Sequence, residues 1–240
     1  MKIAHIADTH IKNLKYHEDY RACFEQMYEI LRQQEVDYIV HCGDIAHTKT
    51  QISPEFVEMA SGFFGSLASI APTYIILGNH DGNLKNSSRQ DAITPIVQAL
   101  DNSAIHRLKN AGEVVVDDLL TLNVLSVFDR DNWIDPGDPS KINIALYHGS
   151  ISNCQTDAGW TLEHGEDNLS IFEEFDFAML VIFTSDSSWT RSSVFTTQAL
   201  LFSKTTVKKT IRDSLSGQSI LKTIGPLSIL LYKIHDRLLL

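Results

Sequence analysis

Short apolar runs that stop at polar clusters set the rhythm of the first 180 residues. Residues 2–7 are apolar apart from Lys2 and His5 and break at Asp8, which predicts a short buried strand. Tyr20, Cys23, Phe24, Met27, Tyr28 and Leu31 then recur at spacings of three and four, the stripe of a helix with one buried face. Tyr38–His41 predicts a second strand that stops at Gly43-Asp44, completing a β-α-β unit. Ser53-Pro54 is a helix start, a capping hydroxyl followed by proline in the first turn, and the helix is expected to run to about Ile70, before Pro72. Tyr74–Leu77 predicts a strand ending at Gly78-Asn79-His80-Asp81, and residues 92–100 look helical. Further strands are expected at Glu113–Val116, Leu119–Val127, Ile142–Tyr147 and Phe175–Leu180, the third of them ending at His148-Gly149. Polar clusters therefore follow the carboxyl ends of strands, where α/β sheets present their ligand-binding loops.

At 240 residues and 43% hydrophobic content, the chain suits one sizeable α/β domain. A net charge of −10 argues against nucleic-acid binding by bulk positive charge, but not against binding through metal ions and local Lys or Arg. Cys23, Cys42 and Cys154 are odd in number and widely spaced, so neither a disulfide framework nor a thiolate zinc site is suggested, and a reducing cytoplasm fits. The opening MKIAHIADTH is too short an apolar stretch for a signal peptide or a membrane span.

Four clusters carry the candidate chemistry: Asp8-Thr9-His10, Gly43-Asp44-Ile45-Ala46-His47, Gly78-Asn79-His80-Asp81 and His148-Gly149. Carboxylate, amide oxygen and imidazole without thiolate suit borderline-hard divalent ions such as Mn²⁺, Fe²⁺ or Zn²⁺ at a catalytic centre. A carboxylate such as Asp44 can bridge two ions roughly 3.5–4 Å apart, the spacing that clamps a phosphoester. Glycines beside Asp44, Asn79 and His148 are expected to allow tight turns. His41, inside a predicted strand, reads as a core histidine, and His5 and His106 have no partner motif. His164-Gly165 follows His148 too closely to be a further ligand turn. Trp133 and Trp160 read as packing anchors before base-stackers.

The order D-x-H, GD-x-x-H, GNHD, H resembles the calcineurin-like metallophosphoesterases over the first 180 residues. His47, three residues after Asp44, and Ser53-Pro54-Glu55 make the finer resemblance to the SbcD-type DNA nucleases. The resemblance implies a β-sandwich of two mixed sheets flanked by helices and two divalent ions, Mn²⁺ foremost. Asp8 and His10 would hold one ion, Asn79 and His148 the other, and Asp44 would bridge them. His80 would stand beside the scissile phosphate as charge stabiliser or proton donor, and His47 would help place the DNA strand. The implied activity is hydrolysis of DNA phosphodiesters in repair or recombination, in the cytoplasm, with an SbcC-type ATPase as partner, a homodimer admitted and no membrane. Two alternatives stand beside it. One is a general phosphoesterase of nucleotides or phosphoproteins, and the other is a non-catalytic remnant of the fold.

The chain departs from that pattern after Leu180. The family's last motif, G-H-x-H or G-D-x-H, would give each ion one more ligand, and it is missing from the sequence after His148. Residues 181–240 hold eight Lys/Arg against three Asp and no Glu, while the first 180 residues hold twelve basic and twenty-seven acidic ones. The last sixty also contain eighteen Ser/Thr. Two segments are therefore expected: 1–180, the nuclease domain without its last metal motif, and 181–240, an out-of-frame and poorly structured tail. Read one base earlier, the codons permitted for Val181-Ile182-Phe183-Thr184-Ser185 allow Gly-Asp-Ile-His-Lys, the missing motif in the expected place.

Overall fold

The computed structural model describes residues 1–152, 154–155, 161–182, 198–203, 220–224 and 227–233. In chain order its strands and helices are β1 (Lys2–Ala7), α1 (His17–Gln34), β2 (Tyr38–Cys42), α2 (Pro54–Ala68), β3 (Thr73–Ile76), α3 (Thr94–Leu100), β4 (Ile105–Leu108) and β5 (Gly112–Val115). There follow β6 (Leu120–Leu125), β7 (Ile142–Gly149), β8 (Cys154–Gln155), β9 (Thr161–Leu162), β10 (Phe177–Ile182), β11 (Gln198–Ser203), β12 (Ile220–Ile224) and β13 (Leu227–Lys233). The chain divides into two compact units, Met1–Lys109 with Leu215–Leu240, and Asn110–Ser214.

The first unit holds a mixed sheet in the order β12-β13-β1-β2-β3-β4, parallel from β13 to β4 and closed by the antiparallel pair β12-β13. Helix α1 buries the predicted stripe, Tyr20, Phe24, Met27, Tyr28 and Leu31, and Phe24 meets Phe63 of α2 at 4.5 Å between ring centroids. Helix α2 begins as its sequence indicates. Ser53 Oγ accepts from the Phe56 amide at 3.1 Å, and Pro54 opens the first turn. It stops at Ala68, two residues earlier than expected, with Ser69 as the cap. Phe63 also packs edge-on to the His41 ring of β2, so α2 lies against the sheet strand that leads to Asp44. Helix α3 starts two residues later than expected because the buried Asp91 carboxylate accepts from the Ile93 and Thr94 amides and fixes the entry turn. Strand β4 was not predicted. Its four residues, Ile-His-Arg-Leu, are too short and too polar to show a period.

The second unit holds a mixed sheet in the order β11-β10-β7-β6-β5, with β6, β7 and β10 parallel. One of its faces carries the cluster of Leu125, Tyr147, Ile151, Phe172, Phe175 and Leu180. An α/β class with two mixed sheets and flanking helices is thus as expected. Of the segment expected to be poorly structured, Val181 and Ile182 finish β10 and the backbone of β11, β12 and β13 is in strand. The rest of that segment, and Trp160, lie outside the described residues.

Candidate metal centre

Three parallel strands end side by side in the first unit, and each hands its chain to a polar loop. The loop after β1 is laid against the loop after β2: the Asp8 amide donates to Gly43 O at 3.2 Å, His10 N to Asp44 O at 3.0 Å and Ile11 N to Ile45 O at 2.8 Å. The backbone turns sharply at the candidate ligands themselves. Asp8 (φ 52°), His10 (φ 41°) and Asp44 (φ 55°) all occupy the left-handed region, as does Gly43 at φ 88°. A non-glycine residue there carries strain of order 1–3 kcal/mol, tolerated where the surroundings fix it. Of the three glycines expected to permit tight turns, only Gly43 has a positive φ. Gly149 is needed for space instead, because a Cβ there would strike the Tyr147 hydroxyl.

This arrangement gathers Asp8, His10 and Asp44. One donor atom from each lies within 4.8 Å of the others, with His10 Nε2 at 3.8 Å from Asp8 Oδ1 and 3.6 Å from Asp44 Oδ2. Both carboxylates are buried, and His10 is only 15% exposed. Two buried carboxylates and an imidazole converging at this distance have the chemistry of a divalent-ion site, so the residues fit the ions expected from the sequence. Burial, and then the Asp8 charge, push the Cys42 thiol up, which keeps the sulfur protonated beside the centre.

The Gly78–Asp81 loop closes over the same place. The His80 amide donates to Asp44 Oδ1 at 2.9 Å, and the His80 ring stands 4.9 Å from that of His10. Its Nδ1 lies 2.8 Å from His47 O; a carbonyl can only accept, so Nδ1 carries a proton and Nε2 is the ring nitrogen left for other partners. His47 is exposed and its ring stacks on His80 at 6.3 Å. Burial foremost, then the charges of Lys12 and His80, hold the His47 imidazole below its ordinary range. Asn79 is half-buried beside His80, its carbonyl accepting from Lys49 Nζ at 3.0 Å. His148 belongs to the second unit, buried at the end of β7 in register with Val181 of β10.

Several supporting residues escaped sequence reasoning. Asp81, fully buried, accepts from Ala46 N at 2.8 Å through Oδ1 and from Gly78 N at 2.9 Å through Oδ2, tying the β2 and β3 loops together. The motif GNHD did signal it, as a fourth polar residue with no ligand role. Thr9 and His41 form a second tie. Gly43 N donates to His41 Nδ1 at 3.2 Å, which puts the ring proton on Nε2, 3.5 Å from Thr9 Oγ1, and the Thr9 hydroxyl donates to Ile45 O at 3.3 Å. His41 is therefore the core histidine expected. Tyr20 OH reaches His10 O at 2.6 Å and anchors the ligand loop to α1. Elsewhere, Trp133 is a packing anchor, its Nε1 donating to Ser126 O at 2.8 Å and its ring meeting Tyr147 edge-on. Gly165 serves close packing, since a Cβ there would strike the Ser152 amide.

A model of the calcineurin-like phosphoesterase family matches residues 1–187. The chain belongs to that family. Its two mixed sheets with flanking helices are of the metallophosphoesterase fold class, and the family is one of hydrolases that bind divalent metals. It is 31% identical over 236 residues to "Uncharacterized protein R555" of Acanthamoeba polyphaga mimivirus, an alignment covering 92% of this chain and 17% of that protein. It is 25% identical over 170 residues to "Putative phosphoesterase 244L" of Invertebrate iridescent virus 6, covering 65% of this chain and 56% of that one. The chain thus spans less than two thirds of either relative's length. A crystal structure of the Pseudomonas putida nuclease MPE aligns over 62% of each chain with 16% identity and a TM-score of 0.33. Among the described residues, no helix is long and apolar enough to cross a membrane.

Proposed function

We propose that the chain is a metal-dependent phosphodiesterase acting on DNA, of the SbcD nuclease type. The observation that carries the hydrolytic part is the convergence of Asp8, His10 and Asp44 beneath His80. The DNA specificity is supported by the GD-x-x-H spacing of Asp44 and His47 and by Ser53-Pro54-Glu55. In this reading Asp8 and His10 hold one ion, Asn79 and His148 the second, and Asp44 serves both. When bound, the ions, Mn²⁺ foremost, supply Lewis-acid stabilisation of the phosphoryl oxygens and a nucleophilic water at neutral pH.

The chain's own residues do the rest. The His47 carbonyl holds a proton on His80 Nδ1, so Nε2 is the nitrogen left to act. With a second proton on Nε2, the imidazolium would stabilise charge on the leaving oxygen, or deliver that proton to it and return to the neutral ring. His47 helps place the strand. A homodimer and an SbcC-type ATPase partner, in the cytoplasm, belong to the same reading.

The test uses the chain with Gly-Asp-Ile-His restored at positions 181–184, because the chain as given is expected to bind metal weakly and to be nearly inactive. It compares linear duplex DNA with a small phosphodiester, with Mn²⁺ and with chelator. Cutting of DNA that chelator abolishes is the expected result. Hydrolysis of only the small diester would move the reading to a general phosphoesterase, and hydrolysis of neither to a non-catalytic fold. His80→Ala should keep its bound metal while turnover drops about 10²-fold, and Asp44→Ala should lose the metal. Equal metal loss in both would remove the division between ligand and acid.

A further inference from the structure

Tyr16 is held in a conformation that its own packing does not explain. It sits at φ 64°, ψ 21°, in the left-handed region that disfavours bulky side chains, yet 46% of the residue is exposed. The loop presenting it is braced on every side. Ile11 bridges to Ala46; Asn13 accepts through Oδ1 and its carbonyl from Ser53 N at 3.3 Å and Ser53 Oγ at 2.8 Å; His17 Nε2 donates to Lys12 O at 2.6 Å. The Tyr16 carbonyl in turn accepts from Tyr20 N at 2.9 Å, at the start of α1. A fixed loop with an exposed, strained aromatic is built to present the ring outward.

The ring is continuous with the metal centre. Lys12 Nζ stands 4.8 Å from its centroid, and Lys12 follows Ile11, whose carbonyl accepts from the His47 amide at 3.1 Å. The His47 ring is 5.8 Å from that of His10 and stacks on that of His80. Tyr16 and Lys12 thus stand on the loop that leads from His10 and is bonded to the backbone of His47.

We infer that Tyr16 is a stacking platform for a nucleobase of the bound strand, with Lys12 meeting the phosphate beside it. With Lys12 over one face of the ring, a base can take the other, and such stacking tolerates any sequence because every base offers a π-face. The ammonium adds the phosphate contact that an acidic protein lacks in bulk. This inference rests on the DNA reading above and deepens it, because a small phosphodiester has no base to stack.

The test is fluorescence anisotropy of a labelled single strand and of an all-abasic strand of equal length, with the full chain in EDTA so that nothing is cut. Tyr16→Ala should weaken binding of the base-bearing strand about tenfold while binding the abasic strand like the wild type, and Tyr16→Phe should restore the base-bearing affinity. Lys12→Gln should weaken both strands and lower the slope of log affinity against log salt by roughly 0.7. If Tyr16→Ala lost both strands equally, or neither, the platform would be ruled out while the DNA reading stood. A wild-type chain that bound neither strand, both in EDTA and with Mn²⁺ on strands carrying uncleavable phosphorothioate links, would overturn the DNA reading, and the platform with it.

Discussion

Part of the candidate ligand set was legible residue by residue, because metal-binding chemistry leaves a local mark. Asp-x-His, Gly-Asp and Gly-Asn-His-Asp announce themselves by composition and by their place after apolar runs, and the structure gathers Asp8, His10 and Asp44. The residues that hold the ligands in place leave no such mark. Thr9 and His41 are separated by thirty-two positions and become partners only when β1 and β2 pair in register. Their contribution can be measured with a substitution that keeps the shape. Thr9→Val removes the hydroxyl from the Ile45 carbonyl, which keeps its bond from the Ile11 amide, and from the His41 ring, and should destabilise the fold by about 1 kcal/mol. It should also weaken Mn²⁺ binding, because both ligand loops lose a common tie. Thr9→Ser keeps the hydroxyl and should behave like the wild type. Urea denaturation and Mn²⁺ titration of the three proteins decide the matter, and equal behaviour of Thr9→Val and wild type would show that the relay holds nothing.

Among the elements, β1 to β3 and α1 to α2 were read from sequence because each has a run long enough to show its period, the strands stop at polar clusters and α2 opens on a Ser-Pro cap. Strand β4 was missed because it forms by pairing with β3, His106 stacking on Tyr74 at 4.6 Å, and not from its own propensity. Strand β1 also carries a feature that sequence alone left without a role. His5 is fully buried, and neither ring nitrogen has a hydrogen-bond partner among the described residues. Burial pushes its imidazole down to about 3. The neutral ring is the folded form, whereas the unfolded chain takes up a proton near pH 6.5. Stability should therefore be full above that pH and fall as the pH drops through it, by about 2 kcal/mol between pH 7 and pH 5. His5→Phe has no proton to bind, and its denaturation midpoint should lose this part of the acid slope. Parallel pH profiles for the two proteins would remove His5 as the cause.

For the whole molecule, the open question is how a metal centre of this family is completed when the chain after Leu180 carries no G-D-x-H or G-H-x-H. The strand pairing says where such a motif would stand. Strand β10 runs parallel to β7, with Val181 in register with His148 and Ile182 with Gly149, so residues leaving β10 there would emerge beside a candidate ligand. The chain places two apolar residues at that point. We propose that residues 181–240 are translated out of frame: losing one G from CTG-GGT would turn Leu-Gly into Leu-Val, and the earlier frame permits Gly-Asp-Ile-His over positions 181–184. Thr197 to Lys208 likewise permits Pro-Gly-Ser-Thr-Ile-Gln-Gln-Asn-Tyr-Gly-Glu. The alignment to the mimivirus protein weighs on the other side, because 92% of the chain lies within it and it therefore extends past Leu180. The nucleotide sequence at codon 180 separates the two, since codons unable to spell Gly-Asp-Ile-His one base back would end the proposal. Where they can, the chain as given and its frame-restored counterpart should differ in Mn²⁺ affinity and in DNA cutting, the restored protein being the stronger in both because each ion regains a ligand. Strong cutting by the chain as given, or no gain on restoration, would mean that the last sixty residues are in frame and that the centre works without that motif.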